Sequence, residues 1–178
     1  LLPTLNGHTL LLDLGANVDC SPRQLCEFAE MGLAYARQTL GIANPRVGLV
    51  NIGEETIKGN EVVKATHRIL SEIDHINFIG NVEPKMLFRG EADVVVADGF
   101  VGNVLLKTAE AVGSLFATSL KREIKAGVIS KIGGLLSLGA FRRLKKTLDP
   151  NEYPGAPLLG INGITIILHG ACSARGIT

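Results

Sequence analysis

The sequence predicts an α/β fold with a mainly parallel sheet, and three observations carry that prediction. Short aliphatic runs of strand length alternate with stretches of helical periodicity. Each run is followed by a polar turn, usually with glycine. Composition agrees: 46% of residues are hydrophobic but only 4% aromatic, and 21 glycines accompany them, as a buried aliphatic sheet with tight turns requires. At 178 residues the chain can bury one sizeable core, so 1–178 is read as a single α/β domain.

Taken in order, Leu10-Leu11-Leu12-Asp13-Leu14 reads as a strand ending in Gly15-Ala16-Asn17. Ser21-Pro22-Arg23-Gln24 then starts a helix, with Ser at the N-cap, Pro at the first helical position and Gln at the third. Apolar or small residues at 25, 28, 29, 32, 33, 36 and 40 continue it, and Gly41 ends it. The unit recurs with the strand 47–50, the polar loop 51–55 and a helix after Lys58-Gly59-Asn60. Residues 76–79 form a strand ending in Gly80-Asn81-Val82-Glu83, and 84–88 a short helix. The strand 94–97 leads into Asp98-Gly99-Phe100-Val101-Gly102-Asn103 and a long helix that buries 105, 108, 109, 112, 115, 116 and 120. A last strand, 164–168, ends in His169-Gly170.

Right-handed crossovers between such strands put all their carboxyl ends on one edge of the sheet. The loops 13–17, 51–55, 80–83, 98–103 and 169–171 are therefore expected to converge there, where open α/β sheets bind ligands.

Charge and cysteine content narrow the function classes. A net charge of +1 does not suit a nucleic-acid binder. Cys20, Cys26 and Cys172 are odd in number and form no CxxC pair, which fits a reducing cytosol better than a disulfide framework. No uninterrupted apolar run reaches transmembrane length, and no signal peptide or metal-ligand spacing is visible. Neither a P-loop nor a G-x-G-x-x-G dinucleotide fingerprint follows any strand, and no cofactor is expected. The chain opens Leu1-Leu2-Pro3 without Met and reaches its first strand within ten residues, so it is read as a fragment or a processed chain.

Gly99 and Gly102 let a backbone approach an anion closely. Asn103 is expected at the helix N-cap, with Lys107 one turn further on to meet the same anion; ordinary capping and a solvated lysine are the plainer reading. Asp98, at a strand end, is a candidate base or orienting group, or else a cap. Asn51, Lys58 and Asn60 suit stabilisation of an oxyanion, though asparagine and glycine also favour turns. Asn81 and Asn17 share the expected edge as substrate-binding candidates. His169 is a binding candidate or a structural histidine, and neither a nearby acid nor a helix supports a Cys172–His169 nucleophile pair.

Residues 121–148 differ from the rest. Between Lys121 and Lys146, eight basic residues meet only one acid, Glu123. Apolar residues at 124, 128, 132, 135, 136 and 141, interrupted by Gly133, Gly134 and Gly139, suggest a basic amphipathic helical hairpin with a glycine hinge. Ile132, Leu135, Leu136 and Phe141 would form its apolar side, and Arg142, Arg143, Lys145 and Lys146 its basic side. It suits an anionic membrane surface, an acidic protein partner, or packing against another subunit.

Five segments carry a family resemblance: Asp13-Leu14-Gly15-Ala16-Asn17-Val18-Asp19-Cys20; Asn51-Ile52-Gly53-Glu54-Glu55 with Lys58-Gly59-Asn60; Asn77-Phe78-Ile79-Gly80-Asn81-Val82-Glu83; Ala97-Asp98-Gly99-Phe100-Val101-Gly102-Asn103; and Gly155-Ala156-Pro157-Leu158-Leu159-Gly160-Ile161-Asn162-Gly163. In this order they resemble the bacterial phosphate acyltransferase family PlsX. The resemblance implies an αβα sandwich with a Rossmann-like sheet, akin to phosphotransacetylases and isopropylmalate dehydrogenases, with the hairpin protruding. It also implies fatty acyl transfer from acyl carrier protein to inorganic phosphate, giving acyl phosphate for phospholipid synthesis. Such enzymes are cytoplasmic homodimers that act peripherally at the membrane, and they carry a further N-terminal portion. Direct attack by phosphate, with no protein nucleophile, is the expected mechanism. The rivals are a phosphotransacetylase-like enzyme using short acyl-coenzyme A, and an inactive dimerising or membrane-binding fragment.

Overall fold

The computed structural model describes residues 1–147 and 155–168, in two compact units, Leu1–Leu106 and Lys107–Thr178. The molecule is α/β, with a mostly parallel mixed sheet in its first unit.

The strands of that unit are β1 (Leu2–Thr4), β2 (Gly7–Leu12), β3 (Arg46–Val50), β4 (Asn77–Val82) and β5 (Val94–Val96), in the order β1-β2-β5-β3-β4. Only β1 runs antiparallel, pairing with β2. The carboxyl ends of β2, β5, β3 and β4 thus share one edge, as expected for the loops that follow them. β1 carries no strand signal in the sequence, because it is three residues long and Pro3 and Gly7 interrupt its hairpin.

Helices α1 (Pro22–Gln38), α2 (Glu61–Ser71) and α3 (Pro84–Arg89) connect the strands. The capping box of α1 forms as read: the Ser21 hydroxyl accepts from the Gln24 amide, and Gln24 accepts from Ser21. One apolar cluster joins Leu25, Phe28, Ala29 and Leu33 of α1 and Leu70 of α2 to Leu10, Val47, Leu49, Val94 and Val96. A second joins Leu2, Leu11, Val82, Leu87 and Val95, with Leu105 and Leu106 against it. Alternate residues of β2 and β5 divide between the clusters, so helices cover both sheet faces.

A register shift supplies a detail that alternation alone hides. β3 and β4 pair as Val47↔Phe78 and then Gly48↔Gly80, leaving Ile79 as a bulge. The bulge reverses the parity of the strand. Phe78 packs on the first cluster and Val82 on the second, while Asn81 pairs with Leu49 and takes the α2 side. β4 therefore continues to Val82, beyond the expected end at Ile79. At the opposite edge, Arg46 grips Asp93 through two nitrogens (3.0 and 2.8 Å) and donates to the Gly90 carbonyl. The Arg46 hydrogen bond holds the Asp93 carboxyl below its usual range and raises the guanidinium.

Helix α4 spans Gly99–Ala126, so it begins five residues earlier than an N-cap at Asn103 implies. Its positions 108, 112, 115 and 116 are exposed, contrary to the burial expected from helical periodicity; periodicity identifies an apolar stripe without saying what covers it. By length and composition α4 could cross a membrane, a property that many soluble helices share.

In the second unit follow α5 (Val128–Leu136), α6 (Leu138–Thr147), β6 (Gly155–Pro157) and β7 (Ile166–Leu168). Helix breaks fall at Gly127 and Ser137; Gly133 and Gly134 lie within α5 and Gly139 within α6, so those glycines are not the hinge. Ile132, Leu135 and Leu136 are exposed on α5, and Arg142 and Arg143 on α6; Phe141 is half-buried. β7 was expected in the parallel sheet but pairs antiparallel with β6 in a separate two-stranded sheet. His169 and Cys172 lie outside the described residues.

Candidate functional site at the carboxyl edge of the sheet

Loop 13–17 is organised by an aspartate. The Asp13 carboxylate accepts from the amides of Ala16 (3.0 Å) and Asn17 (2.7 Å) and from Asn17 Nδ2 (3.0 Å). Asp13, not singled out by the sequence pattern, follows the end of β2 much as Asp98 follows that of β5. Asn17, a substrate candidate, thus has its side chain turned to its own loop.

The first turn of α4 packs directly on this loop. The Gly99 amide donates to the Asn17 carbonyl at 2.8 Å. A Cβ on Gly99 would stand 2.7 Å from that oxygen, and one on Gly102 would collide with the Asp13 carbonyl. The close approach these glycines permit is therefore taken up by the chain itself. Asp98, rather than Asn103, caps the helix: its Oδ1 accepts from the Val101 amide at 2.7 Å. Asn103 lies inside the helix, its exposed amide beside Gly15. The amides of Gly99, Val101 and Gly102 all have partners within the chain, which leaves less of an open anion cradle than the glycine pattern implied. Lys107 makes an ion pair with Glu110 at 2.9 Å.

Three asparagines hold the segment 51–60. Asn51, buried, donates through Nδ2 to the Lys58 carbonyl (3.0 Å) and accepts from the Ile52 amide (2.8 Å). Asn60 caps α2 by accepting from the Val63 amide at 2.9 Å. Asn81, also buried, donates to the Glu55 carbonyl at 2.9 Å and towards that of Glu54 at 3.5 Å. Two carbonyl neighbours fix the orientation of the Asn81 amide, and its Oδ1 is buried with no partner among the described residues. The Asn81 amide and one N–H of the Asn51 amide are thus engaged by backbone carbonyls. Lys58 differs: it is exposed, and among the described residues it makes no ion pair. Its stem passes over Gly53, where a Cβ would lie 3.0 Å from Lys58 Cγ.

Cys20 sits beside the same loops, its Sγ 3.3 Å from the Asn17 carbonyl. Burial pushes its thiol pKa up, the Gly99 amide opposes this, and Asp13, Asp98 and Asp19 raise it further. Burial also raises the Cys26 thiol. Neither resembles an activated thiolate. No cluster of potential metal ligands occurs among the described residues.

A family model described as "Fatty acid synthesis protein" matches residues 1–178. The chain belongs to the fatty acid synthesis protein family. Relatives named phosphate acyltransferase come from Moorella thermoacetica (52% identical over 177 residues), Synechococcus elongatus (54% over 179) and Trichlorobacter lovleyi (51% over 175). The alignments cover 99, 99 and 98% of this chain but 52, 52 and 50% of those proteins. The chain therefore spans about half the length of the curated relatives it matches. Their name is that of an acyltransferase enzyme, which agrees with the resemblance carried by the five motifs.

Proposed function

We propose that this chain supplies one wall of an enzyme that transfers a fatty acyl group from acyl carrier protein to inorganic phosphate. A phosphate oxygen attacks the thioester carbonyl carbon; the C–O bond forms, the C–S bond breaks, the thiol leaves and acyl phosphate remains. The observation that carries this reading is the convergence of polar loops on one sheet edge in a chain half identical to proteins named phosphate acyltransferase. Burial raises the Cys20 and Cys26 thiol pKa values, which disfavours those two as acyl carriers.

Lys58 is the proposed electrostatic partner of the oxyanion, with Asn103 and Lys107 as phosphate-binding candidates. Asn51, Asn60 and Asn81 contribute by holding segment 51–60. Asp98 is the proposed base or orienting group for the attacking phosphate, a role that substitution separates from capping. In a protein of full family length, Asp98→Asn keeps the cap acceptor and removes the charge. It should lose acyl-phosphate formation at least about tenfold, as should Lys107→Ala. Full activity in both would overturn the assignment. A phosphotransacetylase-like reaction would instead show activity only with short acyl-coenzyme A.

The finer architecture belongs to the same reading: a Rossmann-like αβα sandwich, a homodimer, and a hairpin at 121–148 that brings a cytoplasmic enzyme to anionic membranes. Exposed Ile132, Leu135 and Leu136 and the basic side chains Arg142 and Arg143 support the membrane role. Charge reversal at Arg142, Arg143, Lys145 and Lys146 should abolish flotation with anionic liposomes. Unchanged flotation would rule out electrostatic attachment.

A further inference from the structure

We infer that residues 51–60 form a latched strap that opens and closes over the carboxyl ends of β3 and β4, carrying Lys58 with it. The strap contributes little to the core. Ile52 and Ile57 are 82% and 77% exposed, and its buried residues are confined to Asn51 and Gly53. Two attachments tie its middle to the rest of the sheet. From below, Asn81 Nδ2 reaches the Glu54 and Glu55 carbonyls. From the side, Lys85 Nζ bridges Glu54 on the strap (3.2 Å) and Glu83 before α3 (3.1 Å). The Lys85 ammonium is exposed and its hydrogen bonds, Glu83 first and Glu54 second, raise its pKa.

The closed position carries a cost of its own. Asn81 Oδ1 is buried beneath the strap without a donor, so lifting the strap lets that oxygen be solvated. The far end has a built-in hinge: Gly59 adopts φ +89°, and a Cβ there would stand 2.7 Å from Asn51 Oδ1. Weak attachment, an orphaned acceptor beneath and a positive-φ glycine at one end describe a segment with two accessible positions. A surface ion bridge as latch makes the balance sensitive to salt.

The role of Lys58 on the strap rests on the proposed acyl transfer, whereas the motion does not. It is tested without turnover, by amide hydrogen exchange of this chain. In the native sequence, exchange of 52–59 should accelerate roughly two- to fivefold from low salt to about 1 M, while the amides of β3 and β5 stay unchanged. Lys85→Met should show the faster rate at low salt and no salt response. Gly59→Ala, unable to seat against Asn51, should exchange faster at every salt concentration. Equal protection of strap and β3 under all conditions would overturn the proposal. So would a native salt response in Lys85→Met, or acceleration shared equally by β5. Loss of activity in Lys58 variants with none of these exchange effects would leave the function standing and remove the strap.

Discussion

An alanine at position 102 should lower the midpoint of thermal unfolding by roughly 5–10 °C, corresponding to about 2–3 kcal/mol. The added methyl would collide with the Asp13 carbonyl, a backbone atom that cannot rotate away as a side chain would. Relief requires moving either the first turn of α4 or loop 13–17, and Asp13 already ties that loop through three hydrogen bonds. Gly113 is the internal control. It lies in the same helix, and nothing lies within 4 Å of a Cβ built there. Gly113→Ala should therefore stabilise by about 0.5–1 kcal/mol through helix propensity alone. Paired thermal unfolding curves check both. An unchanged midpoint in Gly102→Ala would show that α4 does not dock on loop 13–17 as described.

In a protein of full family length, Lys58→Ala should reduce kcat for acyl-phosphate formation by about 10²–10³. At this edge Lys85 is bound to two carboxylates, whereas Lys58 makes no ion pair among the described residues. With the strap closed, the Asn51 bond to its carbonyl positions its backbone, so its ammonium then operates from a defined base. A group that meets charge developing on the thioester oxygen affects kcat, whereas one that binds phosphate in the ground state affects mainly KM. Lys58→Arg should recover part of the rate by restoring the charge with different geometry. A normal kcat in Lys58→Ala would exclude the oxyanion role.

Much of the first unit was legible because its signals are local. Ser21-Pro22-Arg23-Gln24 specifies a helix start within four residues, and the aliphatic runs of β2, β3 and β5 have no other buried use. The same local reasoning failed where partners are distant in sequence. Gly99 and Gly102 looked like loop glycines because glycine is usually punctuation. Here they are helical positions where backbone meets backbone, and only the fold reveals loop 13–17 against them. The bulge at Ile79 follows from pairing with β3, so the α2-side placement of Asn81 was invisible beforehand. Asn51 and Asn81 do lie at the carboxyl ends of β3 and β4, as expected, but their hydrogen bonds were not legible. An asparagine free to stabilise an oxyanion and one committed to a loop carbonyl look alike in a sequence. The stripe at 108, 112, 115 and 116 shows the converse limit, since periodicity cannot distinguish an exposed apolar face from a core-facing one.

Product analysis tests the central claim most directly. A protein of full family length, incubated with long-chain acyl carrier protein thioester and inorganic phosphate, should form acyl phosphate with equal release of carrier thiol. Intact mass spectrometry during turnover should show no acyl group on the protein. Acyl phosphate formed only from short acyl-coenzyme A, or an acylated protein that accumulates and then discharges to phosphate, would contradict the account.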